Sequence, residues 1–113
     1  MGTFIGVSTG IGSSSNDVNN NTPSILRELP ILTYDQSLIP TIYLYFLLEN
    51  GVVPLSMRGT IYLNNGIEGE NPFLSDGLQF IYEYPPNGTW YVDLEIVIDE
   101  LTTYNFISNT LII

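Results

Sequence analysis

The chain has 113 residues, 44% of them hydrophobic, enough for one domain with a single core that needs no disulfide or metal. It contains no Cys, His or Lys, and 12 acids against two bases, Arg27 and Arg58, give a formal net charge of −10 at pH 7. These absences exclude a Ser-His-Asp triad, a Cys–His pair, the usual zinc sites, a Schiff-base lysine and a P-loop. Two Arg cannot neutralise a phosphate backbone or an anionic bilayer, so no nucleic-acid partner is expected, and no stretch reaches the ~18 apolar residues of a membrane span.

Residues 1–22 are rich in Gly, Ser and Asn. Phe4, Ile5 and Val7 suit a short strand, and residues 13–22 suit a flexible arm, which divides the chain into an arm (1–22) and a β-rich domain (23–113). The opening MGTFIGVSTGIG has no basic region and its apolar residues are broken by Gly, so it does not read as a secretory signal. Met1-Gly2 invites myristoylation, but Gly6 stands where Ser or Thr is wanted. Gly10-Ile11-Gly12 lacks the third Gly, the following helix and the base of a phosphate-binding loop.

Residues 24–29 are too short and Pro-bounded for a helix, and residues 31–34 read as extended. Residues 41–48 (TIYLYFLL) predict a strand with Ile42, Leu44, Phe46 and Leu48 on one face. Tyr43, Tyr45 and Leu47 make its other face amphipathic rather than wet. Asn50-Gly51 predicts a hairpin turn into residues 52–57, where Pro54 argues for an edge strand or a bulge. A further strand over residues 60–63 is closed by Asn64-Asn65-Gly66, and residues 66–77 read as the longest structureless connection after the arm.

The strongest pattern covers residues 78–99, read as a long hairpin turning at Asn87-Gly88 after Pro85 and Pro86 end its first strand. Trp90, Val92, Leu94, Ile96 and Ile98 alternate with Thr89, Tyr91, Asp93 and Glu95, the period of a half-buried strand. Residues 103–113 are again β-rich and end in Leu111-Ile112-Ile113. Seven or eight short strands with regular turn signals predict an all-β fold, a single antiparallel β-sandwich of jelly-roll or immunoglobulin-like topology.

Chemistry is harder to find. Glu68, Glu70 and Asp76 share one stretch, but calcium needs six to eight oxygens and the EF-hand spacing is missing, so a solvated acidic loop is preferred. Asp93 and Glu95 lie one pleat apart, about 7 Å, a separation not foreign to glycosidases; alternation alone also places acids there. No catalytic residue, metal or cofactor is assigned, and no enzyme is expected. Tyr82, Tyr84, Trp90 and Tyr91 gather around Asn87-Gly88, where they would either stack on a sugar ring or, the preferred reading, pair across strands. Asn20-Asn21-Thr22 and Asn87-Gly88-Thr89 match the glycosylation pattern. The chain ends are more suggestive: Phe4, Ile5 and Val7 at one, Leu111, Ile112 and Ile113 at the other, are candidate assembly contacts, because exposed edges and apolar patches mark contact surfaces.

Rich in Ile, Tyr, Asn, Thr and Ser and free of Lys, the chain resembles in composition the virion and cell-surface structural β-proteins of thermoacidophilic archaea and their viruses. The resemblance implies a structural subunit of a capsid, turret, tail or filament, whose partners are itself or other structural subunits at a virion or extracellular surface. The missing secretory signal favours the virion. The alternative is a carbohydrate- or receptor-binding β-sandwich. Full carboxylate protonation would leave a formal charge of only about +3, so the fold is expected to survive at about pH 3 rather than open under its own positive charge.

Overall fold

The computed structural model describes residues 25–113, so the arm, including Phe4, Ile5 and Val7, lies outside the described residues. Eight strands follow in order: β1 (Leu26–Asp35), β2 (Thr41–Leu48), β3 (Ser56–Leu63), β4 (Gly66–Phe73), β5 (Gly77–Glu83), β6 (Thr89–Asp99), β7 (Thr102–Ile107) and β8 (Leu111–Ile112). No helix occurs among the described residues, and so none is long and apolar enough to cross a membrane. One sheet has the order β1-β2-β5; the other runs β4-β3-β6-β7, with β8 pairing the first residues of β6. Every pairing is antiparallel. The result is a β-sandwich whose strand order is that of an immunoglobulin-type Greek key, with the fourth strand beside the third, and not that of a jelly roll.

The alternation of β6 is realised as expected: Trp90, Val92, Leu94 and Ile96 are fully buried. Opposite them, β2 contributes Ile42, Leu44 and Phe46, and β1 and β5 add Leu32 and Ile81. Between β2 and β5 one extra residue shifts the register after Ile42. Such a bulge breaks strict alternation, and both Ile81 and Tyr82 pack into the core region.

The long hairpin over residues 78–99 does not form. β5 and β6 belong to opposite sheets, and Pro85-Pro86-Asn87-Gly88 carries the chain across the sandwich. The Tyr84 N–H still donates to Pro40 O (2.8 Å) in the first sheet, whereas Gly88 exchanges hydrogen bonds with Ile113 (2.9 and 3.0 Å) in the second. Two consecutive prolines supply no donors, so neither ladder extends through them. Asn50-Gly51 does turn the chain, with Val52 N–H donating to Glu49 O (3.2 Å) and Gly51 at φ 85°, but it too connects the two sheets. An Asn-Gly pair specifies a reversal and says nothing about which strand is met next.

The two-residue hairpin sits instead at Asn64-Asn65, whose φ values of 51° and 68° are both left-handed, as a type I′ turn requires. It joins β3 to β4, so residues 66–73 are an edge strand and not part of a structureless connection. Two glycines, Pro72 and a mostly exposed pattern hide that strand from a periodicity search, and Pro is tolerated at an edge. The stretch 24–29 likewise enters β1 from Leu26 onward, with register shifts on either side of Glu28 accommodating Pro30.

The outer edge of β1 is closed by a side chain. Asn109 Oδ1 accepts from Leu32 N–H (2.6 Å) while its Nδ2 donates to Leu32 O (3.1 Å). One residue earlier, buried Ser108 continues the second sheet: its N–H donates to Val92 O, and its Oγ accepts from Val92 N–H (2.9 Å each). Asn109→Ala should therefore cost about 1–2 kcal/mol, two neutral hydrogen bonds partly replaced by water. Asn109→Asp should cost a similar amount, since a carboxylate cannot donate to Leu32 O. Urea unfolding followed by circular dichroism checks both.

Candidate interaction surface

The two outer faces of the sandwich differ in kind. On the larger sheet, register places Arg58 between Pro72 and Glu95, and Thr60 between Glu70 and Asp93. Arg58 Nη2 lies 2.9 Å from Glu95 Oε1 and its Nε 3.7 Å from Glu70 Oε1. Asp93 Oδ1 accepts from Asn105 Nδ2 (3.1 Å), and Tyr62 stacks on Tyr91 with centroids 4.6 Å apart and planes within 9°. This face carries the ion pairs alongside the exposed apolar side chains of Ile67, opposite Tyr62, and Ile107, opposite Asp93; its exposed ion pairs contribute little stability in water. Asp93 and Glu95 are each engaged by a neighbouring strand rather than turned toward one another.

The outer face of the β1-β2-β5 sheet is oily. Ile31, Tyr45 and Leu78 form one row across the three strands, and Thr33, Tyr43 and Phe80 the next. Ile31 is 47% exposed, Tyr45 37%, Leu78 64% and Phe80 53%. Phe80 meets Tyr43 edge to face, centroids 6.5 Å apart. Neither row holds a charge; Glu28, opposite Leu47, stands beyond them on one side, and Asp35 and Glu83, on either side of Thr41, on the other. A sheet with one solvated face ordinarily turns polar residues outward. This one presents apolar side chains on both sides.

A second apolar feature lies at the end of the sandwich where residues 49–55 and 74–76 connect strands of the two sheets. An open cleft of about 370 Å³ is lined there by Leu48, Val52, Pro54, Met57, Phe73 and Leu74, among others. Asp76 sits at this end, its Oδ2 accepting from Leu48 N–H (2.8 Å). Glu68 accepts from the Tyr82 hydroxyl (3.3 Å) and Glu70 faces Arg58, so the three acids are not brought together. Among the described residues no group of three or more acidic, His or Cys side chains converges on a point that would hold a metal ion.

The four aromatics around Asn87-Gly88 are dispersed. Trp90 is fully buried, its indole N–H donating to Pro86 O (3.1 Å) and its ring tilted against Tyr82 at 5.0 Å. Tyr91 points to the charged outer face, and Tyr84 is exposed at the crossing with φ 51°. They share no stacking platform. Leu111, Ile112 and Ile113 are drawn into their own domain: Leu111 pairs with Trp90, Ile112 with Thr89, and Leu111 and Ile113 pack on the core, leaving Ile112 exposed.

Sequence reasoning noted the dry second face of residues 41–48 but missed Ile31, Leu78 and Phe80. Each is unremarkable on its own strand, and only the pairing of β1 and β5 on either side of β2 makes them one surface. No family model, characterised protein or solved structure matched the chain.

Proposed function

We propose that the protein is a structural assembly subunit that works through protein–protein contacts, and that the assembly is a virion: a capsid, turret, tail or filament. One observation carries the reading, the uncharged apolar outer face formed by Ile31, Tyr43, Tyr45, Leu78 and Phe80. Contiguous apolar surface of this kind marks interaction sites. The opposite face differs in carrying charge, with Arg58, Glu70, Asp93 and Glu95 set among its apolar residues, and suits a solvent side. The virion is supported by composition: a Lys-free chain rich in Ile, Tyr, Asn, Thr and Ser suits a particle surface exposed to acid. A sugar-binding module has less support, because Tyr82, Tyr84, Trp90 and Tyr91 do not form one platform.

Sedimentation velocity of the full chain at about pH 7 and about pH 3 tests the reading. A subunit of net charge −10 repels its copies at neutral pH. Protonation of the carboxylates removes that repulsion, so association should rise with concentration and be stronger in acid, with the β-rich circular dichroism spectrum unchanged. A chain that remains monomeric at both pH values, at the highest concentrations reached, overturns the reading.

A further inference from the structure

We propose that the apolar outer face of the β1-β2-β5 sheet receives the amino-terminal segment of a neighbouring copy, through Phe4, Ile5 and Val7, so that subunits join head to tail. This docking rests on the assembly reading and specifies its contact.

Four partly exposed side chains, of a size class that can bury ~150–250 Å² each, leave on the order of 300–500 Å² of apolar surface for a partner to cover. A stable interface takes about 800 Å² from each partner, so a second copy packed sheet against sheet would have to draw on surface beyond this face. One extended segment of about four residues, ~13 Å long, is enough to cross the three strands of the face instead.

The chain outside the described residues has the matching chemistry. The side chains of residues 1–11 carry no charge, and among them are Phe4, Ile5, Val7 and Ile11. Neutral apolar side chains suit a face whose two central rows hold no ionised group. Residues 12–24 are a polar spacer whose single charge is Asp17.

The length of the spacer suits docking on a neighbour. The spacer enters the fold at Ile25, whose carbonyl accepts from Glu49 N–H (2.9 Å), and the next residue, Leu26, pairs with Leu48. It therefore joins the sheet beside Leu47, at the margin of the oily face itself. Covering the subunit's own face from there would take a turn of about two to five residues. A spacer of 13 residues is far longer than that. Fully extended it spans about 44 Å, and the long axis of the domain is 43 Å. The spacer thus has the length to carry the apolar tip one subunit away. A donor tip on one copy and an acceptor face on the next make a heterologous contact, which propagates into a ring or a filament.

The test uses the full chain throughout. A tip variant carries Phe4→Asn and Ile5→Asn; face variants carry Leu78→Asn or, separately, Phe80→Asn. Neutral replacements create no new charge attraction, and both face positions are more than half exposed, so circular dichroism should show the fold retained. Under conditions where the unaltered chain assembles, each variant alone should associate about ten-fold or more weakly. Mixed one to one, tip and face variants should form heterodimers and nothing larger, because one keeps an intact face and the other an intact tip. A tip variant that assembles like the unaltered chain, or a mixture that stays monomeric, overturns the docking while leaving the subunit reading in place. An unaltered chain that never associates overturns both.

Discussion

Trp90→Ala should cost about 3–5 kcal/mol, the range for truncating a large buried aromatic, and so remove a large share of a stability that for such domains is about 5–15 kcal/mol. Trp90 has no exposed surface, lies against Tyr82, and ties the chain crossing at Pro86 through its indole N–H. Trp90→Phe would keep much of the apolar contact but leave Pro86 O without that donor, and should cost less. Leu94→Ala and Ile96→Ala, on the same buried face, should each cost about 2–5 kcal/mol. Asp93→Ala and Glu95→Ala, one residue away on the outer face, should cost well under about 1 kcal/mol. Urea unfolding followed by circular dichroism, since Trp90 is the chain's one tryptophan, measures all of these. Equal losses on the two faces would show that the register of β6 is wrong.

Gly59→Ala should cost about 1–3 kcal/mol. A Cβ on Gly59 would stand 2.6 and 2.8 Å from Cζ and Cε2 of the Phe73 ring and 3.3 Å from Val92 Cγ1. The ring cannot yield as a flexible chain end would; it must leave its place against Phe46, 5.9 Å away between centroids. A double-mutant cycle isolates this cause. Phe73→Leu should cost less in the Gly59→Ala background than in the unaltered chain, because the clash is then already relieved. Strictly additive losses would show that the ring is not what the new methyl meets.

The alternation in residues 89–98 and 41–48 was legible because each side chain's burial on a strand follows from a local rule, period two, that needs no knowledge of the neighbour. The same rule failed for β4, whose Gly66, Gly69 and Pro72 and outward-facing Ile67 carry an edge strand with only Phe73 buried. It was silent on the candidate surface, because Ile31 lies far before Leu78 and Phe80 in the chain and they become one face only when β1 and β5 flank β2.

From its sequence alone the protein was determined to be all-β, acidic, without His, Cys or Lys, and built as a sandwich with β6 alternating between core and surface. Tertiary structure alone decided the rest. Asn50-Gly51 and Asn87-Gly88 carry the chain between sheets while Asn64-Asn65 makes a hairpin, because a turn's dihedral angles fix a reversal but strand partners are chosen by long-range burial. The same choice of partners puts Trp90 in the core, Tyr91 on the charged face, and Ile31, Tyr45 and Leu78 side by side in water. Composition cannot encode that adjacency, since it arises from which strands meet and not from what any one of them contains.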